Sequence, residues 1–165
     1  MWKICIFVIN EISNMKKTTL SILLMYCSLL GFTQSVRSGY DQHLADSLGA
    51  DQYGMKMYVL VILKSGNAVI TDQAQRDNIF KAHLNNIVSL VEAGKLIVSG
   101  PLFENEKQYE GIFIFNTSMQ ETAELLKTDP AIQAGLLDTE LYNWYGSAAL
   151  PLYLKYHDKV QKVDF

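Results

Sequence analysis

Two periods of apolar and polar positions divide residues 57–146 into predicted strands and helices. Runs rich in apolar, aromatic and β-branched residues predict strands at residues 58–63, 95–100, 111–116 and 136–146. Between the first two runs, apolar residues recur at helical spacing up to about residue 93, namely Ile79, Phe80, Leu84, Ile87, Val88, Leu90 and Val91. Such a stripe is typical of a helix that packs on a sheet.

Capping residues predict where the two longer helices begin and end. Asp72 or Thr71 is placed to cap the first helix, and Gly94 is placed to end it. Ser118 is placed to cap a second helix that runs to about residue 127. Glu121 follows Ser118 by three residues, which is the spacing of a capping box.

The predicted order of elements is β-α-β-β-α-β, which is the split βαβ arrangement of a ferredoxin-like α+β fold. Helices then cover one face of the sheet only. Residues 58–63 and 111–115 are apolar at successive positions, so both faces of the sheet need cover. We therefore expect a homodimer in which two sheets pack face to face. The alternative is a monomer whose C-terminal tail, residues 147–165, covers the open face.

Residues 1–35 have the layout of a leader with a secretory signal peptide. Starting at Met15, two lysines precede an apolar run over about residues 20–32, and small residues follow at Thr33 and Ser35. Met15 is the expected start. An uncleaved membrane anchor is the alternative, and a lipoprotein site at Cys27 is a weaker one. Both cysteines of the chain lie in this leader, so the mature chain would contain no thiol and no disulfide.

Charge and composition limit the partners of the exported chain. Without the three lysines and one glutamate of the leader, 11 basic and 16 acidic residues remain, a net charge of −5. We therefore expect no nucleic-acid partner and no stable membrane association after cleavage. The expected location is periplasmic or secreted. Residues 36–56 form a polar extension, in which residues 40–48 predict a short helix that ends at Gly49 and carries a surface His43.

A histidine, His83, falls inside the apolar stripe of the first long helix, one turn after Ile79 and one turn before Ile87. A polar side chain at such a position needs a hydrogen-bond partner. A carboxylate could fix the tautomer and leave the second ring nitrogen as a general base. A satisfied core polar group is the alternative interpretation of this histidine.

Four short motifs stand in register between residues 82 and 135: AHLNNI, AGKLIVSGP, GIFIF and TDPAIQAG. Together they resemble the YCII-related (YciI-like) family, and the resemblance covers about residues 57–146. The stretches LGADQYGMKMYVLVILKSG and NWYGSAAL are similar to an exported branch of that family. The resemblance implies a dimeric α+β barrel built on a ferredoxin-like fold. One departure is the pair Tyr142-Asn143, where the branch often has His-Pro before Trp-Tyr-Gly.

The resemblance also implies a His–Asp pair in a cleft beside the dimer interface. By motif position this pair is His83 and Asp129, which makes them the predicted catalytic residues. Asp129 also has a structural reason to exist, as the N-cap before Pro130 of a short helical turn. The predicted ligand-binding residues are Ser99, Gly100, Pro101 and Trp144. Ser99 has no nucleophile-elbow context, so it can also be a strand-end serine, and Trp144 can also be a core or interface aromatic.

These residues lead to an enzyme hypothesis and two rivals. In the first, the dyad moves a proton on a small cyclic or aromatic substrate, as in a lyase, dehydrohalogenase, isomerase or hydrolase-type enzyme. No cofactor is expected, because the sequence has no phosphate loop, and no metal is expected, because one His and one Asp are too few ligands. The rivals are a non-catalytic dimer that binds a small molecule in the periplasm, and a structural or stress-related dimer without a ligand.

Overall fold

A computed structural model describes residues 37–163 of the chain, apart from the side chain of residue 158. The predicted leader, including both cysteines and the signal peptide, lies outside the described residues. Residues from Asp41 onward form one compact unit. Residues 37–40 belong to a separate unit, of which a turn is described, with the Tyr40 N–H donating to the Arg37 carbonyl at 3.0 Å. Within the described residues, no helix is both long enough and apolar enough to cross a bilayer.

The compact unit contains four strands and five α-helices among its described residues. The strands are β1 (Met55–Ser65), β2 (Leu96–Pro101), β3 (Tyr109–Phe115) and β4 (Leu137–Ser147). The helices are α1 (Gln42–Leu48), α2 (Gln73–Glu92), α3 (Met119–Leu126), α4 (Pro130–Gln133) and α5 (Leu154–Val160), and a 3-10 turn (Leu150–Tyr153) precedes α5.

The sheet has the order β2-β3-β1-β4, and all neighbouring strands are antiparallel. β1 and β3 are central, and each is followed by helix on the way to an edge strand. The order along the chain is therefore β1-α2-β2-β3-α3-α4-β4, which confirms the predicted ferredoxin-like α+β fold. The register places Val61 of β1 between Phe113 of β3 and Leu141 of β4.

The main core lies between the sheet and the helices. Alternate residues of each strand point to the same face, and on the helix face these are the buried Val59, Val61 and Leu63 of β1 with Phe113 and Phe115 of β3. The helices contribute buried residues to the same core, namely Leu90, Leu126 and Ala131. This core fixes α2 and α4 above the sheet, and the candidate site lies between those two helices.

The opposite face of the sheet is partly covered by the C-terminal segment. Tyr58, Ile97 and Ile114 are buried there, and Leu150 and Leu154 pack against them. The Tyr153 hydroxyl donates to the backbone carbonyl of Ile97. This position agrees with the alternative prediction, in which the C-terminal tail covers the open face of the sheet. The predicted homodimer and its barrel stay predictions, because a single chain contains no partner.

The capping predictions agree well with the structure. The Asp72 side chain caps α2 by accepting from the Gln75 N–H at 3.0 Å, and the Ser118 side chain caps α3 by accepting from the Glu121 N–H at 3.2 Å. The carboxylate of Glu121 instead lies 2.9 Å from Lys95 Nζ. The extension predicted at 36–56 contains α1, as expected, but its last two residues already belong to β1.

The buried face of α2 is narrower than the predicted apolar stripe. His83 and Leu90 are buried, whereas Phe80, Leu84 and Val88 remain 38%, 47% and 49% exposed. The three exposed residues follow one another at intervals of four, so they lie along one flank of the helix. Periodicity alone overestimated how much of this helix packs on the sheet.

Candidate functional site

His83 lies on the sheet-facing side of α2 and is only 7% exposed. Its imidazole ring lies over Phe113 of β3, with ring centroids 6.2 Å apart and an angle of 26° between the planes. The ring of Phe80, one turn earlier on α2, meets it edge-on at 6.2 Å and 88°. Two aromatic rings thus hold the imidazole in one orientation inside the core.

Asp129 supplies the polar partner that this histidine needs. Its Oδ2 atom lies 2.7 Å from Nδ1 of His83, and the residue is 1% exposed. The short distance between a ring nitrogen and a carboxylate oxygen is typical of a strong, charge-assisted hydrogen bond. The sequence prediction that His83 and Asp129 form a pair is therefore correct in its geometry.

The same carboxylate also begins α4. Oδ1 of Asp129 accepts from the backbone N–H groups of Ala131 at 2.9 Å and Ile132 at 3.3 Å. Pro130 occupies the first position of α4, where its missing N–H costs no hydrogen bond. One oxygen therefore caps a helix while the other holds His83, so the capping and orienting roles coexist.

Asn86 is a third member of this group that sequence reasoning missed. Its side-chain amide donates to Oδ2 of Asp129 at 3.3 Å. Asn86 follows His83 by three residues on α2, so both side chains point to the same side of the helix. That spacing is the signal in the sequence that would have suggested a shared partner.

The surroundings of Asp129 act on its pKa in opposite directions. Burial raises the pKa, because the charged form loses water. The hydrogen bond and the charge interaction with His83, together with the N–H groups of Ile132 and Ala131, lower the pKa further than burial raises it. The net effect holds the pKa of Asp129 below its ordinary value, so the carboxylate is ionised near neutral pH.

The second ring nitrogen of His83 points away from this carboxylate. Nε2 has no hydrogen-bond partner in the part of the chain that the structure describes. An imidazole whose Nδ1–H is donated to a carboxylate carries its free lone pair on Nε2. Such an arrangement can accept a proton from a ligand and stabilise the imidazolium ion that results.

The predicted ligand-binding residues of β2 lie on the neighbouring edge strand. Ser99 pairs with Phe113 across the β2–β3 ladder, so its side chain shares the helix face with the ring under His83. Ser99 is exposed, and it makes no hydrogen bond with His83. Gly100 and Pro101 follow at the end of the strand, opposite Ile112 and Gly111. Their ligand-binding role stays a prediction.

Trp144 does not lie near the dyad. It pairs with Tyr58 across the β1–β4 ladder, and the two rings lie 5.7 Å apart on the face that is opposite to His83. It packs with the smaller core on that face. The structure therefore places Trp144 on the other face of the sheet from His83, and its ligand-binding role stays a prediction.

Other polar groups of the described chain form surface networks away from the dyad. Nζ of Lys64 lies 2.9 Å from Oε1 of Glu140, which also accepts a hydrogen bond from the Tyr142 hydroxyl through Oε2. The Tyr145 hydroxyl donates to Asp51. Among the residues described, no group of three or more His, Cys, Asp or Glu side chains is arranged to hold a metal ion.

Comparison with solved structures finds several similar chains. No protein-family model matches the sequence, and no curated protein does. A solved structure of 5-chloro-2-hydroxyhydroquinone dehydrochlorinase (TftG) from Burkholderia phenoliruptrix AC1100, in complex with 2,5-dihydroxybenzoquinone, aligns with a TM-score of 0.40 and 21% identity. The alignment covers 52% of this chain and 92% of the dehydrochlorinase. The fold assignment made above is based on the strand order and register of this chain, not on that alignment.

Proposed function

We propose that this chain is a YCII-related enzyme that uses His83 and Asp129 to move a proton on a small cyclic or aromatic molecule, without a cofactor. The observation that carries the proposal is the buried contact between Nδ1 of His83 and Oδ2 of Asp129, at 2.7 Å. Its geometry leaves Nε2 as the reactive nitrogen. The motifs AHLNNI and TDPAIQAG supply both residues, in agreement with the family resemblance.

The proposed chemistry is a proton abstraction followed by elimination or reprotonation. Nε2 takes a proton from a carbon or a hydroxyl of the substrate, and the electron pair of the broken bond stays on the substrate. In an elimination, this pair forms a new double bond in the substrate. A leaving group such as a halide then departs with the electron pair of the bond that held it. In an isomerisation the imidazolium returns the proton to another atom. In both cases Asp129 stabilises the imidazolium by its negative charge.

The proposal includes a homodimer that acts in the periplasm or outside the cell. Support for export comes from the signal-like pattern that begins at Met15. Support for self-association comes from the sheet face opposite the helices, where Leu60, Ile62 and Ile112 are only half-buried. Apolar side chains at successive strand positions favour cover on both faces of a sheet.

The test is a substrate screen with matched histidine variants. The chain, its His83→Gln variant and its His43→Gln variant are incubated with a mixed library of phenols, quinones, lactones and small keto acids, and depletion is measured by mass spectrometry. His43 is exposed on α1, so it controls for the substitution itself. We expect one compound class to be consumed by the wild type and by His43→Gln, and about 10²-fold or more slowly by His83→Gln.

A non-catalytic binding protein is the second candidate, and the hydrogen bonding of Asp129 favours it. The carboxylate accepts from two helix N–H groups, from His83 and from Asn86, so it is fully used as a structural group. If no compound is depleted but one raises the melting temperature of wild type and His43→Gln, the enzyme proposal fails and this second candidate stands.

A further inference from the structure

An open cleft of about 340 Å³ lies at the end of the sheet where β1 finishes and β4 begins. Its walls come from four segments: the end of β1 with its loop to α2, the first turns of α2, the start of β3 and the start of β4. The lining residues are Ser65, Gly66, Ala68, Val69, Ile70, Arg76, Phe80, Glu110, Leu136 and Leu137. The volume falls at the lower end of the range for small-molecule sites.

Close backbone packing fixes the shape of this cleft. The Gly66 N–H donates to the Leu136 carbonyl at 2.8 Å, and the Ala68 N–H donates to the Gly135 carbonyl at 3.0 Å. A Cβ atom at Gly66 would lie 2.0 Å from the Gly135 carbonyl oxygen, so only glycine fits there. The loop after β1 is therefore fastened to the start of β4, and the cleft is formed before any ligand arrives.

Arg76 supplies a cation to this cleft that has no anionic partner in the described part of the chain. Its guanidinium makes no ion pair or hydrogen bond with any side chain that the structure describes. The nearby acid Glu110 accepts a hydrogen bond from the Ser65 hydroxyl instead. At the start of α2, the carboxylate of Asp72 accepts from the Gln75 N–H, and that of Asp77 accepts from the side-chain amide of Gln73.

We propose that this cleft binds a small cyclic carboxylate. The guanidinium of Arg76 presents paired N–H donors that match the two oxygens of a carboxylate. The ring of the ligand lies against the larger apolar side chains of the lining, which are Ile70, Phe80, Leu136 and Leu137. A hydroxyl group on the ring finds an acceptor in Glu110, whose carboxylate has a second oxygen besides the one that Ser65 holds.

Phe80 connects this cleft with the His83–Asp129 pair. Phe80 lines the cleft, and its ring meets the His83 ring edge-on with 6.2 Å between the ring centroids. Glu110 in the cleft stands three residues before Phe113, which lies under His83, so roughly 10 Å of strand separates the two places. Assigning the bound carboxylate as the substrate of His83 rests on the proposed function, whereas the binding itself does not.

The test uses sodium benzoate as the probe and benzamide as its uncharged counterpart. Backbone amide shifts of the ¹⁵N-labelled chain are followed during titration of each compound. We expect benzoate to shift the amides of residues 65–70, 110 and 136–137, and to bind about tenfold more tightly than benzamide. Arg76→Gln is expected to weaken benzoate binding by about tenfold or more, because the paired donors are lost.

Two control variants separate this inference from the proposed enzyme activity. Lys81→Gln removes one positive charge from the same helix outside the cleft, and it is expected to leave benzoate affinity unchanged within about twofold. His83→Gln is expected to leave it similarly unchanged. Three results would each overturn the inference. Benzoate and benzamide could bind equally, Lys81→Gln could lose as much benzoate affinity as Arg76→Gln, or the amide shifts could fall on residues outside the cleft. Benzoate binding without depletion of any library compound would retain the cleft and reject the enzyme.

Discussion

The two oxygens of Asp129 have different partners, and a substitution can separate their roles. Asn in place of Asp129 keeps an oxygen that can cap α4, because Asn is as good an N-cap as Asp. It loses the negative charge that the His83 ring nitrogen contacts at 2.7 Å. The free energy of unfolding of Asp129→Asn should therefore fall by about 1–3 kcal/mol, as for other buried charge-assisted hydrogen bonds.

Asp72→Asn is the matched control for this substitution. Asp72 caps α2 through the Gln75 N–H and lies on the surface, so the exchange should change stability by less than about 0.5 kcal/mol. Urea unfolding at neutral pH measures both variants. Equal losses in the two variants would show that the contact with His83 contributes nothing beyond helix capping.

The pH dependence of the same variant follows from the direction of the pKa shift of Asp129. Its pKa in the folded chain lies below the ordinary value of 3.8, because the contacts with His83 and the α4 N–H groups outweigh burial. A lowered pKa adds stability above the unfolded-state pKa, and this stability is lost as the pH falls through the folded-state pKa. The part of the stability difference between wild type and Asp129→Asn that comes from the lowered pKa of the carboxylate should therefore shrink as the pH falls below about 4.

At the scale of elements, α2 presents one narrow buried face and one exposed apolar flank. Leu90 is 8% exposed and belongs to the main core, whereas Leu84 is 47% exposed. Leu90→Ala should lower the free energy of unfolding by about 2–5 kcal/mol, since it leaves a cavity in a packed core. Leu84→Ala removes the same atoms from the flank and should cost about 0.5 kcal/mol. Urea unfolding compares the two.

Similar losses for Leu84→Ala and Leu90→Ala would contradict this assignment of faces. A loss at Leu84 that depends on protein concentration would instead place the flank in a contact between two copies of the chain. Both changes are made on one helix and alter helix propensity equally, so the difference between the two stability losses reports the difference in burial.

Local signals in the sequence were enough to predict the main helices and strands. Asp72 and Ser118 marked the first residues of α2 and α3 because capping depends on neighbours in the chain alone. The pair of His83 and Asp129 was predicted from a polar residue in an apolar stripe together with the family resemblance. Burial of single residues of α2 could not be predicted, because the stripe does not say which flank faces the sheet. Asn86 was missed because its only sequence signal is its spacing of three residues from His83 on α2.

At the scale of the whole molecule, the sheet has two apolar faces and only one layer of long helices. The C-terminal segment supplies part of the second cover through the 3-10 turn and α5, with Leu150 and Leu154 packed on Tyr58, Ile97 and Ile114. Sequence reasoning offered this as the alternative to a homodimer. The sequence could not decide between a covering tail and a homodimer, because short helical turns of this kind form through contacts with distant strands rather than through their own propensity.

The C-terminal segment and a second sheet would compete for the same apolar surface. Removing residues 150–165 exposes the buried side chains of Tyr58 and Ile97 on that face. Uncovered apolar area of this kind favours association, and 50–60 Å² of additional buried area corresponds to about 1.4 kcal/mol, or about a tenfold change in affinity. We therefore expect the dimer dissociation constant of this truncated chain to be at least about tenfold lower than that of the full chain.

Sedimentation velocity over a range of concentrations measures both constants. A shorter deletion of residues 162–165 leaves the 3-10 turn and α5 in place and should behave as the full chain does. If the truncation at 150 leaves the dissociation constant unchanged, the segment does not compete with self-association, and any dimer must form on another surface. If the truncated chain dimerises more tightly, the C-terminal segment limits how much of this sheet face is open to a second copy.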